Sequence, residues 1–140
     1  MKYIYPAIFS FDKADKEFPN GVYEVSFPDL PGCYTCGETL EEAYDMAEDV
    51  LNLFLWSAER DKEAIPVPSP LNKIKADNSS DIVTLIKADT LEYSKKYDNS
   101  AVKKTLSIPR WLNVLASEKG VNFSNILQQA LMKELNVTSR

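Results

Sequence analysis

The sequence predicts an α+β protein in two parts: an N-terminal antiparallel sheet packed by one long helix, then a short strand followed by two helices. Three observations carry this reading. Runs of β-forming residues broken by turn signals occupy residues 3–37 and 82–88, and one unbroken apolar repeat at helical spacing runs from Leu40 to Ala58. The charge also divides. Residues 1–98 carry 10 Lys and Arg against 19 Asp and Glu, a balance of −9, while residues 99–140 carry 6 against 2, or +4. Two halves of opposite sign face different partners.

The first strand is Tyr3 to Phe11, and the second is Gly21 to Phe27, where Val22, Glu24 and Ser26 alternate with Tyr23, Val25 and Phe27. Asn20-Gly21 is a turn signal, so the two strands read as a hairpin. Pro28-Asp29-Leu30-Pro31-Gly32 then breaks the chain, and Cys33 to Gly37 makes a third strand. Thr39 and Glu42 form a capping box. Behind it Leu40, Ala43, Tyr44, Ala47, Val50, Leu51, Phe54, Leu55 and Ala58 make one broad apolar face, opposite Glu41, Asp45, Glu48, Asp49, Asn52 and Glu59. That helix should lie across the sheet. Ala64 to Pro70 holds three prolines and reads as a loop, Ile82 to Ala88 is a fourth strand, and Thr90 to Asn99 is expected to be a linking segment. The expected division is a domain over 1–90, a linker over 91–100 and a second domain over 101–137.

In the tail, Val102 to Ile108 alternates Leu106 and Ile108 against Lys103, Thr105 and Ser107. So short a strand has no partner nearby in its own chain, and a second copy is expected to supply one. Pro109 suits the first turn of a helix, whose stripe is Trp111, Leu112, Leu115 and Ala116. Gly120 is placed to end it. Asn122 can cap a second helix with Phe123, Ile126, Leu127, Ala130, Leu131 and Leu135 on its apolar face.

This order resembles the ribbon-helix-helix family of transcriptional repressors, in which two chains pair their strands into a ribbon that enters the major groove of DNA. The resemblance makes Lys103, Thr105 and Ser107 the base-reading candidates. It places the phosphate clamp at Asn122, Phe123 and Ser124, where open backbone N–H groups favour an anion. Ser107 departs from the more basic members, which weakens the case for guanine readout there. The bland alternative is a dimerisation tail with solvated lysines.

With strands, helix and the motifs FPDLPGC (Phe27 to Cys33) and GETLEEA (Gly37 to Ala43), the N-terminal half is similar to that of HicB-type antitoxins. The resemblance implies a reduced ribonuclease-H-like sheet-and-helix unit that binds and silences a HicA-type, mRNA-cleaving toxin. It further implies a tail that represses the operon by binding palindromic double-stranded operator DNA as a homodimer or higher even oligomer.

Other chemistries find little support. Cys33 and Cys36 form a C-x-x-C, but the chain has no histidine and no further cysteine to complete a zinc site, and strand geometry points the two thiols to opposite faces. Paired carboxylates for magnesium are missing from the strand centres, where Glu24 is the one acid. The expectation is therefore a binding protein, not an enzyme, with no catalytic residues, metal or cofactor. The alternative kept open is a small ribonuclease-H-like nuclease or RNA-processing enzyme with a dimerisation tail. No apolar run approaches the ~20 residues of a membrane span, and the N-terminus lacks signal-peptide character, so a cytoplasmic protein without membrane partners is expected.

Overall fold

The structure, a computed structural model, describes residues 1–138 and divides into two compact units, the first Met1–Tyr97, the second beginning at Asp98. In the first unit β1 (Lys2–Asp12), β2 (Val22–Ser26) and β3 (Tyr34–Gly37) precede α1 (Leu40–Arg60), and β4 (Ile82–Asp89) leads directly into α2 (Thr90–Tyr97). The sheet is antiparallel throughout, in the order β3-β2-β1-β4.

Register decides which side chains form the core. Phe9 stands opposite Val25 and Tyr5 opposite Ile86, so these four residues share a sheet face with Ala7 and Ala88. Against that face α1 lays Ala43, Ala47, Leu51 and Leu55, all fully buried at four-residue steps. The predicted stripe is correct at its centre and too wide at its start, since Leu40 and Tyr44 remain exposed. Pro6 lies in the stretch of β1 flanked by β4 alone, because the β2 ladder begins at Ile8. A strand proline is tolerated there.

The two motifs have structural causes. Thr39 caps α1, its Oγ1 accepting the Glu42 N–H at 3.0 Å, while Glu42 Oε2 accepts the Glu38 N–H at 3.0 Å. A Cβ on Gly37 would stand 2.4 Å from the Ala43 nitrogen, so the glycine is what lets the helix start press onto the end of β3. In the PDLPG turn, Leu30 N–H donates to Phe27 O and Cys33 N–H to Leu30 O, each at 3.0 Å, and Leu30 plugs the core.

Two segments differ from expectation. Residues 90–97, read as part of a linking segment, form α2, started by Asp89, whose Oδ1 accepts the Glu92 N–H at 3.2 Å. Tyr93 of this helix packs on Trp56 of α1, with ring centroids 5.8 Å apart. The polar composition of TLEYSKKY hid the helix, which rests on that packing and on its cap. Glu59, assigned to the solvated face of α1, is instead half-buried. Its Oε1 accepts bonds from Tyr3 OH at 2.7 Å and Thr90 Oγ1 at 3.0 Å, tying β1, α1 and α2 together.

The second unit contains α3 (Arg110–Glu118) and α4 (Phe123–Glu134). Pro109 is the N-cap of α3, and Gly120, at φ +64°, follows its C-cap Lys119. The strand expected over Val102 to Ile108 is not formed: residues 101–109 are irregular in the single chain, because no strand of the same chain lies beside them to take up their backbone groups. None of the described residues of this unit is buried: Trp111 is 65% exposed, and Leu115, Ile126 and Leu131 are about half exposed.

Candidate nucleic-acid and partner interfaces

Lys103, Thr105 and Ser107 are all exposed in the irregular stretch before α3, and Asn122, Phe123 and Ser124 are exposed at the start of α4. No hydrogen bond or ion pair joins the two groups among the described residues. Within the second group the roles separate. Asn122 Oδ1 accepts the Asn125 N–H at 3.0 Å, so this side chain is committed to capping. The N–H groups of Phe123 and Ser124 have no acceptor among the described residues and open onto solvent at the positive end of α4. An anion could be held there by two amides and the Ser124 hydroxyl.

The second unit leaves an amphipathic helix pair uncovered. Trp111, Leu112 and Leu115 on α3 and Ile126 and Leu131 on α4 are apolar side chains with water where a core should be. Such faces are stable in a folded protein when another surface covers them.

On the first unit, Glu41, Asp45, Glu48 and Asp49 cover the outer side of α1, and none has an ion-pair partner among the described residues. Tyr93 feels the last of these: burial, and after it the charges of Asp49 and Tyr97, raise its phenol above the ordinary range. Acidic side chains left unpaired on an exposed helix attract a basic protein surface and repel a nucleic-acid backbone.

Cys33 is buried, its Sγ donating to Val50 O at 3.9 Å, whereas Cys36 is exposed. Burial pushes the Cys33 thiol up to about 11, which leaves it protonated and inert at neutral pH. The two thiols lie in different environments, Cys33 in the core just before β3 and Cys36 exposed within it. No group of three or more Cys, Asp or Glu side chains is gathered for a metal ion among the described residues.

One feature escaped the sequence reading. Ala64 to Pro70, expected only as a loop, is stitched to the sheet unit at three points. Ile65 packs against the core, Tyr5 OH donates to Pro66 O, and Asp29 of the PDLPG turn takes two bonds from Ser69. These are to Oδ2 from the N–H at 2.8 Å and to Oδ1 from the hydroxyl at 2.5 Å. The signal was present in the sequence as an acid between two prolines and a serine forty residues later, but nothing in it specified their pairing.

The chain thus joins an acidic sheet-and-helix unit to a basic unit of two helices with uncovered apolar faces. Comparison with known proteins places it more closely. Residues 5–131 match the model of the HicB-like antitoxins of bacterial toxin-antitoxin systems. Over 54 residues the chain is 48% identical to Antitoxin HicB of Escherichia coli K12, a match that spans 39% of this chain and 39% of that protein, about two-fifths of each. Among solved structures, a chain of a toxin-antitoxin complex from Streptococcus pneumoniae superposes with a TM-score of 0.60 at 28% identity, covering 96% of this chain and 99% of that one. The antitoxin HicB of Burkholderia pseudomallei shares the fold, with a TM-score of 0.53 at 19% identity over 95% of this chain and 98% of that one. The chain belongs to the HicB-like antitoxin family. Among its described residues no helix is long and apolar enough to cross a membrane.

Proposed function

We propose that this chain neutralises a HicA-type, mRNA-cleaving toxin through its first unit and represses its own operon through its second. Family membership over residues 5–131 carries the reading, because the match runs through both units. The first unit, read as a reduced ribonuclease-H-like sheet and helix, offers an acidic surface to a basic toxin; the −9 balance of residues 1–98 favours fast, salt-sensitive encounter. Within the second unit, residues 101–137 are a ribbon-helix-helix domain in which residues 102–108 of two chains pair into a ribbon. The uncovered faces of α3 and α4 supply the dimer core.

In this reading Lys103, Thr105 and Ser107 meet base edges in the major groove. The Phe123 and Ser124 amides, with Asn122 holding them in place, meet phosphate. A two-fold ribbon requires a palindromic operator. Mobility-shift titration on the operon's own promoter tests it. Thr105→Ala should change discrimination at one position per half-site by about 1–3 kcal/mol. Ser124→Ala should weaken all sequences alike. A Lys103→Ala, Thr105→Ala double variant that binds the operator as well as the parent would leave the tail as a dimerisation device.

A further inference from the structure

With the order β3-β2-β1-β4, β4 is an edge of the sheet. The opposite edge, β3, is only four residues long, which limits its pairing; β4 has eight, with no proline and no break in its register against β1. In that ladder Thr90 N–H donates to Met1 O at 3.0 Å, while Asp89 N–H turns the other way, to Asn52 Oδ1 at 2.9 Å. Backbone groups alternate along a strand, so Ile82, Thr84, Ile86 and Ala88 face β1 and Val83, Leu85 and Lys87 face outward. Asn52 closes the edge at Asp89. Between Val83 and Lys87 no hydrogen bond meets the outward backbone groups among the described residues. The turn at Leu71–Lys73 comes near β4, but the backbone bonds it makes run within residues 70–74.

An edge of this kind takes another strand, and its own residues specify which. When β4 is set antiparallel to itself about Thr84, Leu85 meets Val83 of the second copy, Ile82 meets Ile86, and Lys87 meets Asp81. Neither Lys87 nor Asp81 has an ion-pair partner among the described residues of the single chain. The two-fold repeats this charge match at both ends. It also brings apolar neighbours to Leu85 and Ile82, which lie on opposite faces of the sheet and are 44% and 45% exposed. Neighbouring registers lose the match. Centred on Leu85, the pairing sets Asp89 against Asp81; centred on Val83, it sets Asp81 against Leu85 and Lys87 against Ser79.

We infer that β4 pairs antiparallel with β4 of a second copy of this chain, about a two-fold at Thr84, so that the two sheets run on as one. This contact lies in the first unit and is independent of the tail and of the functional reading above.

The test is disulfide trapping in the full chain carrying Cys36→Ser. Thr84 faces its own copy in a non-hydrogen-bonded pair, whose Cα separation of about 4.5 Å suits a disulfide. Diamide oxidation of Thr84→Cys should give a covalent dimer on a non-reducing denaturing gel, at least tenfold more than Leu85→Cys, whose copies stand two residues out of register. Sedimentation over a concentration series should show Lys87→Asp self-associating about tenfold more weakly than the parent, because carboxylates then face each other at both ends of the pairing. The pairing is overturned if the two cysteine variants link equally or not at all, or if Lys87→Asp assembles as the parent does.

Discussion

Replacing Asp29 should release the proline segment, and the structure sets the size of the effect. The carboxylate accepts the Ser69 N–H at 2.8 Å and the Ser69 hydroxyl at 2.5 Å. Hydrogen bonds to a charged acceptor contribute roughly 1.5–3 kcal/mol each, but the half-exposed Ser69 donors regain water when the acceptor is removed. Asp29→Ala should therefore destabilise the first unit by about 2 kcal/mol, less than the two bonds would contribute together without that return to water. Over a cooperative unit of 97 residues, Met1–Tyr97, this lowers the midpoint by roughly 8–16 °C. Asp29→Asn keeps an acceptor for one donor and should lose about half as much. Thermal unfolding followed by far-ultraviolet circular dichroism measures both. A midpoint within about 2 °C of the parent in Asp29→Ala would show that Ile65 and Tyr5 hold the segment without the clamp, and the argument for Asp29 would fail.

Two further perturbations read other parts of the fold. Gly37→Ala forces a methyl to within 2.4 Å of the Ala43 nitrogen, so the start of α1 must move; a loss of about 3 kcal/mol or more in urea unfolding is expected, and a loss under 1 would refute the close approach. Thiol titration of the native chain at pH 8 should label Cys36 rapidly and Cys33 only after denaturation, because the buried thiol stays protonated below about 11. Equal labelling of both would contradict the burial of Cys33.

Strand positions and the long helix were legible because their signals are local. Alternation at Val22 to Phe27, the turn at Asn20-Gly21 and the capping box at Thr39 and Glu42 each constrain a few neighbouring residues, and they reappear in the structure except at Val22, which is buried although the alternation sets it with the exposed Glu24 and Ser26. The cap at Asn122 and the stop at Gly120 were legible for the same reason. What was not legible depends on contacts distant in sequence. Tyr3 and Thr90 turn Glu59 inward from 56 and 31 residues away. Trp56 supports α2, whose own sequence is polar, and Asp29 meets Ser69 across 40 residues. In the tail the base-reading and clamp roles are proposals that come from the resemblance alone, and the single chain adds only that Asn122 is occupied as a cap. The proposed ribbon would need a second copy, which no signal within one chain can specify.

If the two units divide the labour as proposed, the first should neutralise the toxin without the second. Residues 1–98 contain the whole sheet, α1, α2 and their shared core, so this fragment should fold without the tail. Added to a HicA-type toxin in an RNA-cleavage assay, it should suppress cleavage at the stoichiometry of the full chain, while residues 99–140 alone should not. Inhibition that requires the tail, or that the tail provides by itself, would contradict the account.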